Sequence, residues 1–540
     1  MKKLFSISIA FLMTLSAVFF TGCGKDSSEA PADVTLNVYI LDAGYKTEWL
    51  DGIKAEFAKQ EWVIEKYGNV DVDVESNGVE TYGADKIRSG NSKANKFDLL
   101  FGMNLQELYG EKNSSTKKYY LADLSDVYKS TVPGESITVE KKMIDSAVTS
   151  NLYTDKYGKS SWFAMPWAGG YNGILYNVEK LAEAKYEVPV TTDELLAIMQ
   201  AETEKEKKVN KDGIGYSIMQ SMDEGATYWE HLMPTWWAQY EGYTNYEKFW
   251  EGKTYNPETE EYEYSVDIFK QKGRLESLTV LENAIRTNLY YRAASTDYIT
   301  AQRKFVKGDG MFMACGDWFD MEMKELIEDI VNNGGKAYNV QMMKTPVISA
   351  IIDRLTTVKD DATLSKVVKA VDGGAESFEG VSAEDFKIIK EARNILYSVG
   401  NYHTAVIPEY AKNVELAKDF LRFMATDKAN EIYSVKTGGS GLFFEYDLET
   451  KNPSIYETLS ETAKMRIRCF NDEDSLVLPI PNNYNLFIYG RVRPFKTNIS
   501  SYEYLFTQPG TSAQDVYDYD ISYYTDTEWV SVLISMGVPV

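Results

Sequence analysis

Apolar and polar positions alternate along Val34 to Leu41 (VTLNVYIL), and the run is rich in β-branched residues, so it predicts a first strand. Asp42-Ala43-Gly44 breaks that run, after which Trp49, Ile53, Phe57 and Ala58 recur at helical spacing. Val70 to Val74 (VDVDV) alternates again as a second strand, and Phe97 to Phe101 (FDLLF) is the short apolar run of a buried, parallel strand. Further on, Ile174 to Asn177 predicts a strand, with helical periodicity from Leu181 and a helix start at Thr192, Glu194 and Leu195-Leu196. Asn256-Pro257 predicts a turn between two short strands. Tyr298 to Phe305 reads as helix and Met311 to Ala314 as strand. Asp353 to Tyr397 is a charged, helix-rich insertion, Thr404 to Pro408 a strand, and Leu416, Phe420, Phe423 and Met424 one face of an amphipathic helix. Strands alternating with helices predict an α/β architecture. The last ninety residues are rich in Tyr and carry no clear period.

The first residues follow a different rule. Lys2 and Lys3 precede an uncharged stretch, Leu4 to Phe20, and small residues lead to Cys23. This is the pattern of a secretory signal peptide over residues 1–22. The run Phe20-Thr21-Gly22-Cys23 resembles the lipobox of bacterial lipoproteins, with Phe20 in place of the usual Leu. That resemblance implies that Cys23 carries the lipid (palmitate among its acyl chains) and becomes the mature N-terminus. Residues 23–33 are small, polar and charged, the composition of a flexible tether from the membrane. The expected location is the extracellular face of the bacterial cell membrane.

Charge and composition narrow the partners. The 540 residues carry 57 Lys plus Arg against 81 Asp plus Glu, a formal charge of -24, which disfavours nucleic acid. Two histidines and three cysteines leave little for metal chemistry, and no metal or cofactor is expected. Cys315 and Cys469 have no informative spacing and read as buried thiols, with a disulfide as the alternative. Asp71-Val72-Asp73-Val74-Glu75 imitates the start of a calcium loop, but Ser76 and Tyr82 stand where glycine and the bidentate Glu belong. No G-x-S-x-G, P-loop, HExxH or dinucleotide motif is present, and His231 and His403 stand apart. The outstanding excess is aromatic: 39 Tyr, 23 Phe and 10 Trp.

Several segments together resemble bacterial extracellular solute-binding proteins of the carbohydrate ABC-transporter class (family 1), the group of maltose-binding protein. They are Ile40 to Tyr45 followed by a helix; Phe97-Asp98-Leu99-Leu100, with Lys96-Phe97 in place of the usual proline; Met165-Pro166-Trp167 ahead of Gly173 to Asn177, then Pro189 and the helix at Asp193; and Phe305 to Met311 leading to Gly316-Asp317-Trp318. Ala417 to Phe423 looks like a late helix of the same family. The resemblance implies a two-lobed, periplasmic-binding-protein-like fold (type II), its discontinuous lobes joined by hinge strands. The expected division is 34–166 with 400–430 for the N-terminal lobe, and 167–399 with 431–540 for the C-terminal lobe. It implies a monomeric, non-enzymatic protein that captures a carbohydrate in the interlobe cleft and hands it to an ABC-transporter permease.

Sugar rings pack C–H faces on aromatic planes, and their hydroxyls need fixed donors and acceptors. Trp167, Trp236, Trp237 and Trp318 are the stacking candidates, with Tyr45 and Tyr171 beside them. Asp42, Asp98, Asp317 and Glu230 are the hydroxyl-binding candidates, and Met103 falls at a strand end facing the expected cleft. Trp229 and Trp250 read as core residues, and Asp98 is equally suited to capping a helix. Adjacent residues Trp236 and Trp237 cannot share one face, so one is expected to meet ligand and the other to pack inward. Alternatives are a surface lipoprotein glycoside hydrolase, which needs two carboxylates at a defined separation, or the same fold binding a peptide or other organic solute.

Overall fold

A computed structural model describes residues 33–540 except 43, 79–81, 92, 94–96, 156, 210–227, 289–295, 399–402, 482–483, 494–504, 506–507 and 509. The signal peptide, Cys23 and the tether up to residue 32 lie outside the described residues. Among those described, no helix is long and apolar enough to cross a membrane.

Two separate sheets organise the chain. The first has the order Val70–Asn77, Val34–Leu41, Leu99–Met103, His403–Val406, Met165–Pro166. Its first three strands are parallel, with Val34 opposite Val70 and Val38 opposite Leu99, while His403–Val406 runs antiparallel. The predicted third strand begins two residues later than its apolar run, because Asp98 turns to serve a helix end. The helix Glu48–Phe57 buries Trp49, Leu50, Ile53 and Phe57, one stripe that covers the sheet. The amphipathic helix expected around Leu416 spans Val414–Met424 and buries Leu416, Phe420, Phe423 and Met424.

The second sheet is antiparallel, with Asn172–Asn177 between Phe312–Gly316 and Val340–Met343. The helix-rich insertion supplies Asp361–Asp372 and Ala383–Asn394, each capped by a side chain (Asp360 and Ser382). The expected hairpin is Lys253–Asn256 paired with Glu261–Tyr264. In the Tyr-rich tail, Ala513–Tyr523 and Asp526–Ser535 are helices that dock on the second lobe. There Asp520 meets Arg274 of the helix Lys272–Asn288 with both side chains fully buried, and Tyr524 stacks on Phe269 at 3.8 Å. Cys315 and Cys469 are free, buried thiols.

The chain passes between the lobes along neighbouring segments. Trp167 N–H donates to His403 O (3.1 Å), Asn172 N–H to Tyr397 O (3.0 Å) and Gly169 N–H to Gly441 O (2.6 Å). A Cβ on Gly169 would stand 2.9 Å from the Gly441 carbonyl oxygen, so the close approach of these crossings requires glycine. The helix Asp427–Lys436 packs on Glu48–Phe57 of the first lobe. The expected division at 430/431 would cut that helix, whose packing keeps it whole with the first lobe. One continuous cluster of buried apolar residues runs from Leu36 and Ile40 through Trp167 to Trp237 and Trp250, so the lobes meet over a shared core.

Candidate functional site

In the first sheet the chain leaves the strand Val34–Leu41 for one neighbour, then crosses to the other side for Leu99–Met103. That reversal is a topological switch point, the place where open α/β sheets leave a crevice at the strand ends. Asp42 and Tyr45 follow the first of these strands, and Met103 ends the third. Across from them, Asp317 and Trp318 follow the strand Phe312–Gly316 of the second lobe and start the helix Phe319–Asn332.

The two sets of strand ends are joined through Asp317. Tyr45 Oη donates to Asp317 Oδ1 (3.1 Å), and Ser440 Oγ donates to Oδ2 (3.0 Å). Arg466 Nε lies 3.3 Å from Oδ2, and the same guanidinium donates to the carbonyls of Gly169 (2.9 Å) and Gly439 (3.0 Å). Asp317 and Arg466 belong to the second lobe; Tyr45 and Ser440 flank helices of the first. Their network therefore clasps one lobe to the other at the hinge.

Burial sets the electrostatics. Asp317 is 6% exposed, and desolvation pushes its carboxyl up to about 6 despite Arg466, Ser440 and Tyr45, which all pull it down. Desolvation lowers the Arg466 guanidinium, with Asp317 opposing it, and holds the Tyr45 hydroxyl well above its ordinary range. The site is thus a dry polar cluster whose acceptor holds its proton more tightly than an ordinary carboxyl does. Tyr433, beside it, is buried, and its hydroxyl has no hydrogen-bond partner among the described residues.

Aromatic rings wall the cluster. Trp318 is 7% exposed and meets the edge of Tyr45 at 6.0 Å and Tyr228 at 5.7 Å. A Cβ on Gly170 would lie 1.8 Å from Tyr45 Oη and 2.8 Å from Asp317 Oδ1, so glycine there lets the hinge run directly beneath the clasp.

Of the sequence candidates, the structure brings Tyr45, Asp317 and Trp318 together. Asp42 is exposed at its strand end and Met103 is half-buried opposite His403. Trp167 is a hinge residue within the core: its ring stacks on Trp49 at 5.4 Å and its Nε1–H donates to Gly102 O. Tyr171 is likewise enclosed, accepting from Thr345 N–H at 2.9 Å, with its hydroxyl pushed up to about 12 by burial. Asp98 accepts from the Lys412 and Asn413 N–H groups, anchoring the start of Val414–Met424, and from Asn37. Trp236 and Trp237 are both buried on the helix Leu232–Glu241 and donate internally, to Pro346 O and Gln271 Oε1. Neither turns a face to the clasp, because that helix is wrapped on all sides by the second lobe. Glu230 lies on the turn Tyr228–His231, and its side chain lies outside the described residues. His231 contacts Asn172 Nδ2 through Nδ1 (3.1 Å), stacks on Tyr397, and is pushed down to about 4 by burial.

Arg466, Ser440 and Tyr228 are members that the sequence reading did not name. Arg466 carried a readable signal: it falls three after Ala463 and one before Ile467, on the buried face of the helix Glu461–Asn471. An arginine on an apolar face requires a buried acceptor. Among the described residues, no group of three or more His, Cys, Asp or Glu is placed to hold a metal ion.

No family model matches the chain, and no curated protein matches it. Solved structures do. The GacH receptor of Streptomyces glaucescens, solved unliganded and with acarbose, is 15% identical and aligns over 91% of this chain and 97% of its own at a TM-score of 0.50. The solute-binding protein RafE in complex with raffinose is 13% identical, over 92% of this chain and all of that one, at 0.48. An ABC transporter solute-binding protein from Agrobacterium radiobacter in complex with ribitol is 14% identical, over 91% and 98%, at 0.48. The GacH likeness establishes the fold: this chain is a two-lobed α/β protein of solute-binding-protein architecture.

Proposed function

We propose that this chain is the solute-binding subunit of a carbohydrate ABC importer, tethered through Cys23 to the extracellular face of the membrane. The observation that carries the reading is Asp317: a carboxylate at a strand end of one lobe, flanked by Trp318 and grasped by Tyr45 and Ser440 from the other. A sugar hydroxyl needs such an acceptor, and a sugar ring needs such an aromatic wall. Parting the lobes frees the Asp317 oxygens, Tyr45 and the Trp318 face; a bound sugar takes over those contacts and favours the shut state by its differential affinity. Asp42 and Met103, at the neighbouring strand ends, line the same opening. The formal charge of -24 favours a neutral ligand. The GacH receptor's complex with acarbose supports the same ligand class.

Titration calorimetry of the mature protein against neutral mono- and oligosaccharides tests this. Saturable heat with the sugar recovered intact is the expected result. Hydrolysis products in the same cell would assign a glycoside hydrolase instead, and heat only with peptides would change the ligand class.

A further inference from the structure

The helix that begins at Trp318 carries a second acidic side chain one turn further on. Glu322 N–H donates to Trp318 O at 3.0 Å, so the two residues stand four apart on one face, about 6 Å along the helix axis. That face meets the first lobe. A Cβ on Gly44 would lie 3.0 Å from Trp318 Cβ, and Lys46, two residues after Gly44, is the cation whose field reaches Glu322.

Glu322 is held in place without being sealed. Gln302, on the helix Tyr298–Val306, donates from Nε2 to Glu322 Oε2 at 2.7 Å. That amide is itself seated 3.7 Å from Cys315 Sγ, in a residue only 1% exposed. Desolvation raises the Glu322 carboxyl, with Gln302 and Lys46 opposing it, yet the residue is half-buried where Asp317 is enclosed. Lys46 is exposed and sits at φ 57°, a left-handed conformation that lysine seldom takes. Its carbonyl accepts from Trp49 Nε1–H at 3.1 Å, which pins the turn and presents the side chain from the first lobe. Asp317 is bound by Tyr45, Ser440 and Arg466, and Glu322 by Gln302, so the two acceptors lie on different sides of Trp318.

We propose that Glu322 is a ligand-binding residue of the same cleft, and that with Lys46 closing over it from the first lobe it selects a pyranose carrying hydroxyls on opposite edges. The inference rests on the reading of Asp317 and Trp318 as the sugar site. A ring stacked on Trp318 offers one hydroxyl to Asp317 and another to Glu322, while Lys46 donates to the oxygen that Glu322 grasps. An acyclic polyol lacks the flat face that places both hydroxyls at once.

Calorimetry on the full mature chain with maltose, raffinose and acarbose tests this, together with monodeoxy derivatives of whichever binds most tightly. Glu322→Gln should keep its melting temperature and weaken that sugar about tenfold, the scale of one lost charge-assisted contact. One monodeoxy derivative should bind the wild type about tenfold more weakly than its parent, and bind Glu322→Gln as its parent does. A residue that only braces Gln302 would leave every deoxy penalty as in the wild type, and that result overturns the proposal. So does wild-type affinity in Glu322→Gln, which leaves the Asp317 site standing alone. Should Glu322→Gln fail to fold, Lys46→Gln decides, since its side chain is exposed: weaker binding of the same sugar is expected, and unchanged affinity overturns the proposal. No heat from any of the three sugars with the wild type overturns the sugar-site reading itself, and this inference with it.

Discussion

Tyr45 and Asp317 are 272 residues apart in sequence and sit in different lobes, yet Tyr45 Oη donates to Asp317 Oδ1 at 3.1 Å in a fully buried setting. A hydrogen bond to a charged acceptor contributes roughly 1.5 to 3 kcal/mol, so this contact favours the shut arrangement by that order. Tyr45→Phe removes the donor and keeps the ring. Small-angle scattering of the unliganded protein should then show a larger radius of gyration, and saturating sugar should restore the compact form. An unchanged radius would show that the shared apolar core alone holds the lobes together.

Gly170→Ala attacks the same relationship from beneath. The added methyl would lie 1.8 Å from Tyr45 Oη, so Tyr45 or the hinge strand has to shift. We expect the lobes to part and sugar affinity to fall at least tenfold, the scale of one lost charge-assisted contact, with little change in secondary structure. Calorimetry and circular dichroism on the same sample separate that outcome from misfolding. Wild-type affinity would mean that Tyr45 turns aside without consequence.

Two desolvated groups near the hinge, Asp317 and the partly buried His231, give opposite pH dependences. Asp317 rises from 3.8 to about 6, so the native state holds the extra proton in that window and stability falls as pH climbs through it. His231 drops from 6.5 to about 4, so the unfolded state holds the extra proton and stability falls as pH declines from 6.5 to 4. Each effect is worth about 3 kcal/mol at full extent, and between pH 4 and 6 they oppose each other. Urea unfolding of His231→Asn should lose stability relative to wild type as pH is raised from 4 to 6.5, and Asp317→Asn should gain it. Parallel curves for all three proteins would remove both groups from the pH response.

The strands of the first lobe were legible because their residues alternate or run apolar over five to eight positions, and the predicted helix faces follow from i, i+3, i+4 spacing. The tail was opaque for a physical reason. Its helices Ala513–Tyr523 and Asp526–Ser535 bury scattered residues against another element, and the docking contact Arg274–Asp520 joins positions 246 apart. The site was half legible. Tyr45, Asp317 and Trp318 follow breaks at strand ends, where turn residues and an aromatic stand out. Ser440 lies on a connection and Arg466 on the helix Glu461–Asn471, and the fold brings both to Asp317 from more than 120 residues away in sequence. Ring count does not distinguish a wall from a core: Trp236 and Trp237 are both buried on the helix Leu232–Glu241.

Trp318 separates those two roles by experiment. It stands next to the acceptor carboxylate and is enclosed by Tyr45, Tyr228 and two glycine backbones. Trp318→Ala should weaken sugar binding by about 1 to 3 kcal/mol, the range of an aromatic anchor in a binding hot spot. Trp237→Ala should instead lower stability by about 3 to 5 kcal/mol, as a large core truncation does, without a specific effect on affinity. Calorimetry paired with thermal melts reads both. If Trp318→Ala loses stability and keeps affinity, Trp318 is part of the core.

The tail makes the sharpest stability prediction. Arg274 and Asp520 are wholly buried, and the Arg274 guanidinium also donates to Phe269 O at 2.6 Å. Asp520→Asn leaves that guanidinium without its counter-charge, a change that costs about 3 to 5 kcal/mol when a buried pair is broken. The loss should be local at first, because Ala513–Tyr523 docks on the helix Lys272–Asn288 through this pair, the Ala513 N–H bond to Glu282 Oε2 (2.6 Å) and the burial of Ala513 and Val516, with the Phe269–Tyr524 stack beside them. Limited proteolysis of Asp520→Asn should therefore cut between residues 505 and 535 well before the lobes are touched. Replacing both partners, Arg274→Met with Asp520→Leu, should recover much of the resistance, since two apolar side chains leave no charge unpaired. Cleavage of the single variant at the wild-type rate would mean that the pair does not hold the tail. Tail release in the double variant would instead show that the ion pair supplies specific docking that apolar contact cannot replace.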